Sequence, residues 1–174
     1  MKLKYYPLLS LLTVMMYSTL VAQELSKTEL IFLTHQWKGE RFEDGRPKVS
    51  DALLKRMKNV SIEEAWGVLR NEGFHNQFEG NWQPLHEDVT IVGRALTAQY
   101  MPNRPDMAEQ IKKKGHEQGE IGNTNAWPID RLVEHDVYVA DGFGKIIDGT
   151  LIGDNLGNSI YAKTKTGVVF NASS

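Results

Sequence analysis

Residues 136–170 read DVYVADGFGKIIDGTLIGDNLGNSIYAKTKTGVVF, and their pattern decides the fold class. A valine-rich run at 137–140 predicts a strand. The glycine-containing turn 141–144 follows, and the apolar residues of 145–148 predict a second strand. This part of the stretch therefore predicts a strand, a tight turn and a strand.

The second half of the same stretch changes period. Residues 156–166 predict a helix, because Leu156 and Ile160 fall on one side of it. Residues 167–170, GVVF, predict a final buried strand. Because strands and helices alternate, we expect a mixed α/β or α+β domain.

The preceding chain carries further helix and strand signals and no internal repeat. Serines stand at expected N-caps, and two of them are followed by glutamate three residues on, which is the capping-box pattern. The predicted elements are helices at 25–36, 49–60, 61–73 and 106–119, and one or two strands at 88–101 that bend at Gly93.

The first 22 residues have the layout of a secretory signal peptide. Lys2 and Lys4 precede an uncharged apolar run at 7–21, and Ala22 closes the segment. The run is short for a membrane span. We expect cleavage after Ala22, export to the periplasm or the exterior, and no stable membrane anchor afterwards. An uncleaved anchor or a buried helix is the alternative.

Composition excludes several classes of function. The chain has 174 residues, 41% hydrophobic and 24% charged, with a formal net charge of −2 and no cysteine. Disulfides, thiolate metal sites and a cysteine nucleophile are therefore excluded. Because the net charge is not positive, the composition argues against a nucleic-acid partner.

The best candidate for a binding site is the helix start formed by Gly153, Asp154, Asn155 and Leu156. Unpaired N–H groups and the helix dipole make a helix N-terminus suitable for an anion such as a carboxylate. A glycine there lets a ligand approach the backbone closely. The alternative is that Asp154 or Asn155 merely caps the helix.

Other polar features carry weaker signals. Asp141, in the Asp-Gly-Phe-Gly turn, is a candidate to lie beside that pocket, although Asp-Gly is also a common hairpin signature. Trp82 either contacts a partner or folds back onto the core. The histidines lack metal-ligand spacing, and surface positions are expected for them; they are His35, His75, His86, His116 and His135.

Four segments resemble, in order, the RraA family, named for the regulator of ribonuclease E activity A. The family includes metal-dependent 4-hydroxy-4-methyl-2-oxoglutarate aldolases and oxaloacetate decarboxylases, and its members have often been mislabelled as dimethylmenaquinone methyltransferases. The segments are VSDAL (49–53), IVGRALTAQYMPN (91–103), DVYVADGFG (136–144) and GDNLGNSIYAKTKTGVVFNASS (153–174). The last is the most specific.

The expected organisation is a signal peptide at 1–22, an N-terminal helix and loop at 23–48, and an RraA-like domain at 49–174, which is the part that the resemblance covers. The resemblance implies a swivelling β/β/α-type domain that assembles as a homotrimer or a dimer of trimers. The loop Gly153–Leu156 would bind the carboxylate and keto group of a small pyruvate-like 2-keto acid. The cofactor would be Mg²⁺ or Mn²⁺.

In the family motif an Arg-Asp pair follows the segment that matches 171–174, and it contacts substrate and metal. That pair would fall directly after Ser174, so we expect an incomplete C-terminus and no metal ligand within the chain. The implied function is carbon–carbon lyase activity through a pyruvate enolate. The alternatives are a non-catalytic protein-binding regulator and an inactive truncated remnant.

Overall fold

The structure, a computed structural model, describes residues 25–173. The predicted signal peptide at 1–22 lies outside the described residues. The chain divides into two compact units between Lys48 and Val49. No helix within residues 25–173 has the length and apolar character needed to span a membrane.

The first unit contains one described helix, α1 (Lys27–Leu33), shorter than the predicted 25–36. Its capping box is confirmed: Ser26 accepts from the backbone of Glu29, whose carboxylate accepts from the Ser26 backbone. The loop that follows closes on Arg41. This side chain donates to the Thr34 hydroxyl (2.7 Å) and to the Gly45 carbonyl (2.8 Å), so one guanidinium holds the loop together.

The second unit is mixed α+β. Together with α1, the described residues contain six helices and one three-stranded parallel sheet. The elements of this unit are α2 (Asp51–Met57), α3 (Ile62–Asn71), β1 (Arg94–Gln99), α4 (Pro105–Glu117), α5 (Trp127–Asp130), β2 (Asp136–Asp141), α6 (Asp154–Thr164) and β3 (Val168–Asn171).

The strands lie in the order β1-β2-β3, and all neighbours are parallel. Each connection between parallel neighbours must return the chain to the starting edge, and helices do so here: α4 and α5 between β1 and β2, and α6 between β2 and β3. Every strand therefore ends at the same edge of the sheet.

The core lies on one face of this sheet. Side chains two residues apart share a face, and the register aligns Leu96 with Tyr138 and Val168. Ile129, in α5, and Ile160 of α6 pack against them and are almost fully buried. The apolar positions that mark α6 in the sequence thus anchor it to the sheet.

The predicted strand at 145–148 is wrong. Residues 145–146 are irregular and 147–148 form a turn, with Asp148 at φ +53°. A hairpin partner needs a free edge of β2, but β1 occupies one edge and β3 the other. The Asp-Gly signal therefore marks a turn that leads away from the sheet toward α6.

The other differences also reflect contacts between distant residues. Only residues 94–99 of the predicted 88–101 form a strand. A Cβ on Gly93 would lie 2.6 Å from the carbonyl oxygen of His135, so this glycine permits close approach of the two segments.

The short helix α5 was not predicted; its Trp127 ring packs directly against Gly115 of α4.

Candidate functional site

The carboxyl edge of the parallel sheet brings polar groups together. Asp141 ends β2 and pairs in register with Asn171, which ends β3. The Asn171 amide donates to the Asp141 carboxylate over 3.3 Å. Because ligands commonly bind at the carboxyl ends of strands in open α/β sheets, this edge is a favourable place for a binding site.

The loop after β2 wraps around the end of β3. The backbone N–H groups of Gly142 and Gly144 both donate to the Asn171 carbonyl, over 3.0 and 3.1 Å. The Asp141 carboxylate accepts from the Phe143 N–H over 2.9 Å. A Cβ on Gly142 would lie 2.4 Å from the Cβ of Ala172, so the two segments are in close contact. Asp141 thus organises the turn as well as lining the edge.

The segment that follows β3 connects this loop to the start of α6. The Ser173 N–H donates to the Lys145 carbonyl (3.1 Å), and the Ser173 carbonyl accepts from the Leu151 N–H (3.0 Å). Ile152 is buried in the core. Gly153 comes directly after that anchored residue. The structure therefore brings Asp141 and the helix start to the same edge of the sheet.

At this helix start Gly153 is the N-cap and no side chain caps the helix. Neither Asp154 nor Asn155 acts as the cap, which was the alternative expected from the sequence. Asp154 instead accepts from the N–H of Asn155 (2.8 Å). Within residues 25–173, the N–H groups of Asp154 and Leu156 have no hydrogen-bond acceptor. Two donors therefore point out of an eleven-residue helix whose dipole favours an anion.

The space beside Gly153 is open. A Cβ added there would meet no atom within 4 Å, and the backbone (φ −102°, ψ −174°) suits any residue. Neither backbone strain nor a protein neighbour explains a glycine at this position. Leu156, by contrast, packs partly buried against the core and fixes the first turn.

A tyrosine pair lies beneath the same edge, and sequence reasoning missed it. The hydroxyls of Tyr100 and Tyr138 are 2.8 Å apart. Burial, then the hydrogen bond with Tyr100, raises the pKa of Tyr138, and burial raises the pKa of Tyr100. Both phenols therefore stay protonated at neutral pH. Only the parallel register shows that these distant tyrosines meet.

The remaining sequence candidates lie apart from this edge. His116 contacts the Gly122 carbonyl (3.1 Å) and the ring of Trp127. Trp82 is 52% exposed and donates to the Glu79 carbonyl (3.0 Å), so it does not fold onto the core. Across residues 25–173, no three histidine, aspartate or glutamate side chains group as a metal site. The described residues by themselves do not fit the divalent metal that the resemblance implies.

Comparison of the chain with models of protein families, with curated proteins and with solved structures finds no match.

Proposed function

We propose that this chain is an exported RraA-like protein with the swivelling β/β/α architecture and carbon–carbon lyase activity on small 2-keto acids. The observation that carries the proposal is the start of α6. Two unpaired N–H groups there adjoin an open space beside Gly153, at the carboxyl edge of a parallel sheet. The resemblance of residues 153–174 to the RraA motif supports the same assignment.

The chemistry matches what this helix start offers. In oxaloacetate decarboxylation the C3–C4 bond breaks and CO₂ leaves. The electron pair of the broken bond remains with C3 and forms the pyruvate enolate, which is then protonated at C3. The substrate's C1 carboxylate stays negative throughout, so backbone donors at a helix N-terminus can hold it. A divalent metal, Mg²⁺ or Mn²⁺ by the resemblance, would supply Lewis-acid stabilisation of the enolate, but no side chains within residues 25–173 are grouped to hold it. The described residues carry only the carboxylate-binding half of this site.

The test measures pyruvate release from oxaloacetate by the product of the complete open reading frame, with Mg²⁺ or Mn²⁺ added. Gly153→Ser is the decisive variant, because the oxygen of a serine at the N-cap accepts a hydrogen bond from the N–H at the third helical position, here the free N–H of Leu156. We expect kcat/KM to fall at least about tenfold, while the free energy of unfolding changes by about 1 kcal/mol or less.

Gly67→Ser is the matched control, since a Cβ added at Gly67 of α3 would also meet no atom within 4 Å. It should leave pyruvate release unchanged. Release no faster than with metal ions alone would reject the lyase proposal. Equal activity of Gly153→Ser and Gly67→Ser would reject the assignment of the carboxylate site.

We also propose that the chain assembles as a homotrimer or a dimer of trimers. Ten large apolar side chains from Val60 to Ile91 are exposed, and such side chains mark an interaction surface where they form a continuous patch. Light scattering after size-exclusion chromatography tests this. A monomer at every concentration would contradict it.

The same exposed side chains favour the second candidate, a non-catalytic regulator that binds another exported protein. Recovery of a stoichiometric partner by the full chain, with lyase assays silent, supports this candidate. Export itself is tested by N-terminal sequencing of the protein found outside the cytoplasm, with Gln23 expected as the first residue.

A further inference from the structure

A second recessed site lies between the end of α3 and the loop that follows it. Five residues line a groove of about 410 Å³, which we call the aromatic groove: Trp66, Arg70, His75, Asn76 and Phe78. All five lie outside the edge of the sheet described above. The volume falls within the range of small-molecule sites in proteins.

Local backbone geometry forms the groove. Gly73 (φ +90°) ends the helix, and Asn76 adopts a left-handed conformation (φ +58°). The chain then reverses, and Phe78 returns to within 6.1 Å of the Trp66 ring, with the two planes tilted by 56°. The two tilted rings form an apolar wall that suits a planar group.

A cation stands beside this wall. The guanidinium of Arg70 lies 5.5 Å from the Trp66 ring centroid. Among the described residues it has no hydrogen-bond or salt-bridge partner, so its N–H groups are available to a ligand. No lining residue is acidic, whereas His75 and Asn76 add further polar groups. The groove therefore combines an aromatic wall with an unpaired positive charge.

We propose that the aromatic groove binds a small aromatic monocarboxylate. The ring would stack in the angle between Trp66 and Phe78, and the carboxylate would accept hydrogen bonds from Arg70. A guanidinium fixed over an aromatic face keeps its planar fork oriented for a carboxylate, which a lysine cannot match. Because the groove is open to solvent, the dissociation constant should be on the order of 1 mM.

The experiment follows the Trp66 indole N–H signal by NMR while benzoate is added to the full chain at constant ionic strength. Benzamide keeps the ring without the charge, and acetate keeps the charge without the ring. We expect saturable shifts with benzoate and at least about tenfold weaker binding of both comparators.

Arg70→Met should weaken benzoate binding at least about tenfold, and Arg70→Lys should recover part of the loss. Arg56→Met is the matched control, because Arg56 is an exposed helix arginine outside the groove, and it should bind as the parent does. Phe78→Leu tests the wall separately, and circular dichroism checks that each variant is folded.

Equal binding of benzamide and benzoate would overturn the proposal, and so would benzoate binding that Arg70→Met leaves unchanged. If the Trp66 signal shifts with protein concentration when no ligand is present, a second copy of the chain occupies the groove instead. None of these outcomes depends on lyase activity.

Discussion

At the residue scale, one arginine ties together distant parts of the second unit. Arg94 begins β1 and is 8% exposed. It donates to the carboxylate of Asp136 over 3.1 Å, and Asp136 is fully buried. It also donates to the carboxylate of Asp51 at the start of α2 (2.7 Å) and to the Val49 carbonyl (2.8 Å). The ion pair with Asp136 is therefore shielded from water. Each charge of the pair needs the other to offset the cost of its burial.

Arg94→Met should lower the free energy of unfolding by about 3–5 kcal/mol, because it leaves the Asp136 carboxylate buried without its cation. Arg104→Met is the control. Arg104 forms an exposed salt bridge with Asp106 at 2.6 Å, and its loss should cost far less because solvent screens the pair. Urea unfolding followed by circular dichroism measures both. Equal losses of unfolding free energy in the two variants would show that the burial of Asp136 does not determine how much its ion pair with Arg94 contributes to stability.

The tyrosine pair predicts a loss of stability at high pH. An unfolded tyrosine loses its proton near pH 10.0, whereas burial raises the pKa of Tyr138 and Tyr100 in the folded state. Above pH 10 the folded state thus binds more protons than the unfolded state. The free energy of unfolding should fall by up to about 1.4 kcal/mol per pH unit for each tyrosine.

Tyr138→Phe should flatten this slope, measured as unfolding free energy against pH from about 8 to about 11. Tyr161→Phe is the control, since Tyr161 is exposed, and it should keep the parent slope. An identical slope in both variants would contradict the assignment to the buried pair.

At the scale of elements, the loop after β2 and the end of β3 pack closely at Gly142 and Ala172. Because a Cβ on Gly142 would lie 2.4 Å from that of Ala172, Gly142→Ala should cost about 1–3 kcal/mol in unfolding free energy. Gly157→Ala, inside α6 with only Ile152 at 4.0 Å, should instead stabilise by up to about 1 kcal/mol. Thermal unfolding compares the two.

Adding Ala172→Gly to Gly142→Ala should recover part of the cost, because it removes the opposing Cβ. The two changes should therefore be non-additive, as neighbouring sites generally are. Strict additivity would show that the two segments do not touch.

The correct sequence predictions are those that depend on interactions between residues a few positions apart. The capping box of Ser61 and Glu64 is confirmed, as is the Ser50 cap, because each spans three positions. The strand at 145–148 is wrong because pairing depends on which edges of β2 distant strands occupy. The start of α6 was recognisable, but the contact of Asn171 with Asp141 follows only from the parallel register of β2 and β3.

At the scale of the whole molecule, burial is uneven. In the described residues the core of the second unit lies on one face of the sheet, and β2 is its most buried strand. The other face of β1 exposes Ala95 and Thr97, although parallel sheets are usually covered on both faces. Helix α3 has no buried residue.

This asymmetry predicts how hydrogen exchange is distributed. Amides of Val137–Ala140 lie in the central strand, between two neighbouring strands, and should open only with global unfolding. Helix α3 has ten residues, which is marginal without tertiary packing, so its amides should exchange at least about 100-fold faster. Exchange followed by NMR on a dilute sample measures both. Equal protection of α3 would mean that another surface covers the helix. If that protection falls on further dilution, the covering surface belongs to a second copy, which would support the proposed oligomer; if it does not fall, the chain itself packs α3 more tightly than these contacts indicate.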